Sequence, residues 1–168
     1  RSFGSAFHAF VSWYIAAGIA PSLTHRGLAR MVVHRHLVGG VVGLLMITWL
    51  AGIVPLTDTA LIAITLMVVL LGLLPYVLRQ TGDMALVTLA SFQLLLAMSL
   101  VGTFSYGGFA SPFLSWLPVS LLSGLFYQSR RMGLILALFA ASVASFFIIL
   151  LFRAQPMTVP VEALQQLG

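Results

Sequence analysis

Charged residues are scarce in this chain, and their scarcity excludes a soluble globular protein. They make up 7% of the 168 residues, whereas hydrophobic residues make up 61%. A soluble domain has about 25% charged residues. The acidic residues are Asp58, Asp83 and Glu162, and none of them lies within a long apolar run. The intramembrane carboxylate relays that mark pumps and ion-coupled transporters therefore have no candidate residues.

Cysteine and lysine are also missing. Without cysteine the chain has no disulfide, no thiolate nucleophile and no thiolate metal ligand. All of its basic residues are arginines, and an arginine excess in an apolar protein indicates membrane orientation rather than nucleic-acid binding. The sequence has no phosphate-binding glycine loop, no GxSxG elbow and no HExxH pair. We therefore expect a protein that is not an enzyme, binds no metal and requires no cofactor.

What the chain does contain is a long apolar region, residues 37–152, interrupted by short polar segments. Crossing a bilayer takes about 20 helical residues. By this measure the region predicts five transmembrane helices: 37–56, 60–78, 84–104, a fourth that begins at Ser111-Pro112, and 132–152. We predict an all-α integral membrane protein with a polytopic bundle. Residues 153–168 form a polar tail in which a further helix would begin.

Residues 1–36 are predicted to precede this bundle as a separate N-terminal domain. Phe3, Phe7, Phe10 and Tyr14 recur at helical spacing, and they form a candidate docking stripe for another membrane protein. This first helix either crosses the membrane or lies along its surface. Residues 23–36 mix arginine and histidine with apolar residues, which is typical of a segment lying on anionic lipid headgroups.

The histidines are candidate cofactor ligands, because a neutral imidazole in an apolar helix can bind haem iron or a chlorophyll magnesium. His8, flanked by aromatic residues, is the candidate ligand for haem b or bacteriochlorophyll. His25, His34 and His36 are instead predicted to lie at the membrane surface, because they share one segment with several arginines.

Small residues predict where helices pack against one another. Gly39 and Gly43 form a GxxxG pair, and Ala137, Ala141 and Ser145 form a second small-residue stripe. Helix ends are predicted from turn chemistry. Gly82 supplies backbone freedom, Asp83 is an N-cap, and Ser111-Pro112 pairs a hydroxyl cap with a proline at the first helical position.

The fourth predicted helix is the least lipid-like of the set. Pro118 lies within it and is expected to bend it. It therefore sits in the middle of the bundle or lines a pocket. The candidate pocket or signal region consists of this helix start and the loop before it: Gly107, Gly108, Ser111, Pro112, Ser115, Trp116 and Pro118. A purely structural role for the loop is the alternative.

The arginines predict the orientation of the bundle. If the five spans alternate, most arginines fall on one side, and by the positive-inside rule this side is cytoplasmic in a bacterial inner membrane. Asp58 and the Gly107-Gly108 loop then face the other side.

Several of these features occur in a familiar order: the basic segment before the first span, the RQTGD turn at 79–83, the GGFASPFLSWLP run at 107–118 and the arginines at 130–131. Together they resemble the N-terminal membrane input module of bacterial sensor histidine kinases, hybrid kinases included. The resemblance covers residues 26–168. It implies six helices that feed cytoplasmic kinase domains. This sequence contains no phosphoacceptor histidine box and no ATP-binding glycines.

Two functions are therefore expected. The first is a non-catalytic sensory module that transmits a signal by helix rearrangement, surrounded by membrane lipids and working as a homodimer. The second is an accessory subunit of a larger respiratory or photosynthetic membrane complex, docked through its apolar and aromatic faces.

Overall fold

The computed structural model describes residues 13, 23–128 and 131–152, and it contains no strand in these residues. The helices are α1 (Leu23–Ala51), α2 (Thr59–Thr81), α3 (Met84–Ser105), α4 (Trp116–Tyr127) and α5 (Met132–Phe152). Two 3-10 helices, Gly108–Ala110 and Pro112–Ser115, connect α3 to α4. The predicted aromatic stripe, His8 and the polar tail lie outside the described residues.

Four of the helices are long and apolar enough to cross a membrane: residues Gly27–Ala51 of α1, all of α2 and α3, and Met132–Ile149 of α5. These helices indicate a membrane protein, as predicted. The fourth predicted span is shorter, because α4 itself has 12 residues and is extended only by the 3-10 turn before it. The prediction of five spans is therefore not confirmed.

The first helix begins earlier than the sequence predicted. α1 runs without interruption for 29 residues, so the basic segment at 23–36 continues directly into the predicted first span. One face of this segment, formed by Ala29, Val32, Val33 and His36, is buried. The prediction that His36 lies at the surface is wrong, since only 4% of this residue is exposed. His34 is exposed, as predicted.

Local chemistry fixes the helix ends. The Asp58 carboxylate accepts a hydrogen bond from the Leu61 amide at the start of α2. Gly82 ends α2 with a φ of 65°, a left-handed conformation that glycine adopts without steric cost. Asp83 then accepts from the Ala85 and Leu86 amides and begins α3. The predicted roles of Gly82 and Asp83 are confirmed.

The region around Pro118 is built differently from the expectation. Ser111 accepts a hydrogen bond from the Phe113 amide, and Pro112 is the first residue of a helix, as predicted, but that helix is 3-10. Because α4 starts only at Trp116, Pro118 falls in its first turn. Proline is tolerated there, since the amide it lacks would have no helical partner. Pro118 therefore does not lie in the interior of this helix, where the sequence analysis placed it.

Helix α3 lies at the centre of the fold. It packs against α2, α4 and α5, whereas α1 packs on α2. Two hydrogen bonds show that neighbouring helices are antiparallel. The Tyr106 hydroxyl after α3 donates to Asp58 before α2 at 2.8 Å, and Gln128 after α4 donates to the Ala85 carbonyl at the start of α3, also at 2.8 Å.

Three glycines allow close approach between helices. A Cβ on Gly43 would lie 2.7 Å from a methyl carbon of Val68 on α2. A Cβ on Gly102 would lie 2.3 Å from the Phe113 ring, and one on Gly124 would lie 2.7 Å from the Phe92 ring. Real Cβ atoms do not approach other atoms so closely, so these contacts require glycine.

Candidate functional site

The main candidate site is a cavity of about 350 Å³ that is lined by α1, α2, α3, α4 and the second 3-10 helix. Its size is within the range of about 300–1,000 Å³ that is usual for small-molecule sites. Apolar side chains make up most of its wall, and the polar members are His34, Arg35, His36, Ser91, Ser99 and Ser120. The cavity is therefore suited to an apolar molecule with few polar groups.

Helix α1 supplies one long side of the cavity. The lining residues on α1 extend from His34 to Met46, a distance of about 18 Å at 1.5 Å per residue. Gly39 lies on this side, and a Cβ there would meet nothing within 4 Å. The cavity is therefore elongated along α1. Because Gly39 has no side chain, the space beside it stays unfilled.

Helix α4 contributes Trp116, Val119 and Ser120 to the wall. Near the far end of α4, the Arg35 guanidinium lies 5.3 Å from the centre of the Tyr127 ring, a cation–π contact between α1 and α4. Of the two predicted positions for this helix, the one beside a pocket is confirmed, whereas the middle of the bundle is occupied by α3.

The serines of the cavity differ in their hydrogen bonding. The Ser99 hydroxyl donates to the Leu95 carbonyl at 2.7 Å, and the Ser120 hydroxyl donates to the Trp116 carbonyl at 2.8 Å. Within the described residues the structure gives the Ser91 hydroxyl no such bond, although Ser91 is 4% exposed. Ser91 therefore leaves hydrogen-bonding capacity available in the wall.

His36 is the second polar group with free capacity. Its Nδ1 lies 2.7 Å from the Val32 carbonyl oxygen one turn earlier. Its Nε2 is buried and has no hydrogen-bond partner among the residues that the structure describes. A buried, unsatisfied polar atom costs about 1–3 kcal/mol, so this atom is a site where a bound molecule would gain affinity.

The predicted signal region is only partly at this cavity. Trp116 lines it, whereas Gly107, Gly108, Ser111, Pro112, Ser115 and Pro118 are not among its lining residues. Gly107 and Gly108 have φ values of 99° and 57° and form the turn after α3. The Ser115 hydroxyl donates to the Pro112 carbonyl at 2.6 Å. These residues shape the loop that positions Phe113 and Trp116.

Tyr106 stabilises the loop between α3 and α4. Its side chain is 1% exposed, and its hydroxyl donates to the Asp58 carboxylate. Burial, and then this hydrogen bond, raise the pKa of the Tyr106 hydroxyl above its ordinary value. The neutral tyrosine thus links the α1–α2 loop to the α3–α4 loop.

The predicted packing residues have different environments. Gly43 packs against Val68, but Gly39 opens onto the cavity. Ala137, Ala141 and Ser145 on α5 are exposed within this chain. The second stripe therefore has no packing role between the described helices, and any partner for it would lie outside them.

Comparisons with known proteins add no relative. No family model, no curated protein and no solved structure matches the chain. The resemblance to sensor kinase input modules therefore stays a prediction. Among the described residues, no group of three or more histidine, aspartate or glutamate side chains is placed to hold a metal ion.

Neither His36 nor Ser91 is among the site residues that the sequence predicts. A signal for His36 is present, because Ala29, Val32, Val33 and His36 follow the spacing of one helical face. The arginines of the same segment favour a surface position and conflict with this spacing. Ser91 had no such signal, since an unpaired hydroxyl is recognised only when its neighbours are known.

Proposed function

We propose that this chain is a non-catalytic sensory module of a membrane signalling protein, and that it responds to a small apolar ligand bound in the cavity. The observation that carries this proposal is the cavity itself, which brings α1 and α4 together around one space. A ligand in that space would contact both helices, and a change in their spacing is a signal that other parts of a protein can read.

The proposed route of the signal follows the contacts of α4. At the end of α4, Gln128 donates to the Ala85 carbonyl and to the Thr88 hydroxyl of α3. This end also lies near Arg35 of α1. A ligand-dependent shift of α4 would therefore be felt at the arginine-rich end, which by the positive-inside rule faces the cytoplasm of a bacterial inner membrane.

Ligand binding is tested with two tryptophans of similar exposure. Trp116 lines the cavity and is 38% exposed, whereas Trp49 is 41% exposed and does not line it. Two variants, each with one of these as its only tryptophan, are placed in lipid nanodiscs and titrated with 1-bromohexane, which quenches indole fluorescence on contact. Quenching of Trp116 is expected to saturate, whereas quenching of Trp49 is expected to rise linearly with the bromoalkane in the bilayer. Linear quenching of both would contradict a binding site.

Signalling is tested by a distance measurement. The chain has no cysteine, so cysteines introduced at Val41 on α1 and Leu122 on α4 are unique attachment points for spin labels. Both positions are exposed, at 60% and 66%, so labels there disturb little packing. Double electron–electron resonance spectroscopy is expected to show that the distance between the two spin labels changes when the ligand binds. If the ligand bound saturably but the distance between the labels did not change, the chain would be a binding protein without the proposed sensory role.

The second candidate is an accessory subunit of a larger membrane complex, and α5 is the observation that favours it. Only 11% of the apolar stretch Met132–Ile149 is buried within the chain, compared with 44% of α3. A photo-crosslinking residue at Ala141 in native membranes, followed by intact mass measurement, tests this candidate. A stoichiometric protein adduct favours the subunit, whereas adducts with lipid or with a second copy favour the sensory module.

A further inference from the structure

His36 has a defined tautomer, and this tautomer limits what the cavity binds. A carbonyl oxygen only accepts hydrogen bonds, so the 2.7 Å contact between Nδ1 and the Val32 carbonyl requires that Nδ1 carries the hydrogen. In a neutral imidazole the other nitrogen then has a free lone pair. The buried Nε2 of His36 is accordingly an acceptor that lacks a donor within the described residues.

The imidazole is neutral in this environment. Burying a charge without a counter-charge is very costly in an apolar medium. The chain contains three acidic residues, and none of them lies within α1, α2, α3, α4 or α5. The nearest charged neighbour along the chain is Arg35, which has the same sign as a protonated histidine. A positive charge on His36 would therefore have no counter-charge on any of the five described helices.

The volume of the cavity indicates the size of ligand that it accommodates. An apolar cavity of about 150 Å³ binds one benzene ring. The present cavity, at about 350 Å³, is a little more than twice as large. It therefore accommodates a ring with a short alkyl chain, or an alkyl chain of similar bulk.

From these observations, and building on the proposed function, we propose that the cavity binds a small hydrophobic molecule with a single hydroxyl group, and that this hydroxyl donates to Nε2 of His36. The alkyl or aromatic part lies along α1. The Ser91 hydroxyl, which has no hydrogen-bond partner among the described residues, is a second partner for the ligand oxygen. Because Nε2 is closed off from solvent in the structure, binding includes a small displacement of the side chains that cover it.

The test uses two probes that differ in one hydrogen-bond donor, 4-hexylphenol and its methyl ether 4-hexylanisole. Binding to the full chain in nanodiscs is followed by the fluorescence of Trp116 in a variant with no other tryptophan. We expect the phenol to bind about tenfold more tightly than the ether, because one hydrogen bond to a buried acceptor changes affinity by about this factor.

Three variants show whether His36 causes this preference. In His36→Leu the preference for the phenol is expected to disappear while the ether still binds, because leucine removes the acceptor and keeps an apolar wall. Ser91→Ala is expected to reduce the preference by about threefold. Ser99→Ala is the matched control, since Ser99 lies on the same helix and lines the same cavity but its hydroxyl is already bonded. It is expected to keep the full preference.

The outcomes separate this inference from the proposed function. If both probes bind equally in the wild-type chain, or if His36→Leu keeps the preference, the hydroxyl contact is refuted and a general apolar site remains. If neither probe gives saturable binding, both proposals fail. A visible absorption band in the purified protein would also overturn the inference, because it would show that a pigment occupies the chain in place of a small alcohol. The melting temperature of each variant verifies that it is folded.

Discussion

The central helix α3 has two regions that are packed differently. In one, which we call the seam, Gly102 and Phe92 of α3 meet Phe113 and Gly124, and ring atoms come so close that no Cβ would fit on either glycine. Beside it, Ser91, Leu95 and Ser99 line the cavity, and Phe113 belongs to both regions. The same helix thus combines a closely packed contact with an open one.

This difference in packing indicates that the seam stabilises the fold and that the cavity leaves space for a ligand. In a membrane, lipid tails are as apolar as leucine, so helices associate through close packing of small residues and through hydrogen bonds. The seam provides such packing. The cavity leaves open space between the helices and incomplete hydrogen bonding, since His36 Nε2 has no partner among the described residues. A region with open space and unpaired polar groups contributes little to the stability of the fold. It can therefore bind a ligand without loss of stabilising contacts.

The largest effect on stability is expected from Gly102→Ala in the seam. The added methyl group would overlap the Phe113 ring, and overpacking of this kind costs about 1–3 kcal/mol. The free energy of unfolding, measured by detergent denaturation, is expected to fall by about 2 kcal/mol.

Gly72→Ala on α2 is the control for this variant. Gly72 is exposed, and a Cβ there would meet nothing within 4 Å. Alanine at this position is expected to stabilise the helix by about 0.5–1 kcal/mol. If Gly102→Ala were as stable as Gly72→Ala, the seam would not be more closely packed than the rest of the chain.

Much of the fold was predictable because it depends on local chemistry. The apolar runs predicted long helices, and the turn at 79–83 predicted Gly82 and Asp83 at its helix ends. Each of these features depends on a few adjacent residues whose backbone preferences are known.

The seam and the cavity were not predictable, because they depend on which helices become neighbours. The GxxxG pair illustrates this limit, since Gly43 packs against Val68 while Gly39, four residues earlier, borders empty space. Likewise Gly102 and Gly124 belong to no sequence motif, although each makes a contact that leaves no space for a Cβ. A cavity is what remains after side chains have packed, so no short segment of sequence encodes it.

The link between α4 and α3 is the next contact to test. Gln128→Leu removes the hydrogen bonds to the Ala85 carbonyl and the Thr88 hydroxyl, and we expect it to cost about 1 kcal/mol, as is typical for polar contacts between membrane helices. Gln80→Leu is the control, because Gln80 is exposed and, among the described residues, its side chain bonds only to Tyr76 of its own helix. Equal unfolding free energies for the two variants would show that Gln128 does not hold α4 in place.

The Tyr106 hydroxyl is expected to contribute less to the free energy of unfolding than Gln128 does, and its contribution is expected to depend on pH. Tyr106→Phe removes the bond to Asp58 and is expected to cost somewhat less than about 1 kcal/mol near pH 7. Because the pKa of Tyr106 is raised in the folded chain, the unfolded chain loses this proton first as the pH rises above 10.0, the ordinary value. The stabilisation is therefore complete below pH 10.0 and declines above it.

Unfolding titrations of the wild type and Tyr106→Phe between pH 7 and 11 measure this decline. The other tyrosines titrate equally in both proteins, so the difference between the two curves reports on Tyr106 alone. That difference is expected to narrow above pH 10.0. A difference that stays constant, or grows, with pH would show that the Tyr106 hydroxyl is not held neutral by its surroundings.

The smallest difference in stability is expected between two substitutions at adjacent glycines on α1. These substitutions also give the most direct test of the cavity. A Cβ on Gly39 or on Gly40 would meet nothing within 4 Å, but only Gly39 lines the cavity. Leucine at either position gains about 0.8 kcal/mol in helix propensity, so the two variants are expected to be equally stable. In Gly39→Leu the side chain would occupy the cavity and abolish saturable quenching of Trp116, whereas Gly40→Leu is expected to keep it. If both variants bound the ligand like the wild type, the cavity beside α3 would be a packing defect and not a binding site.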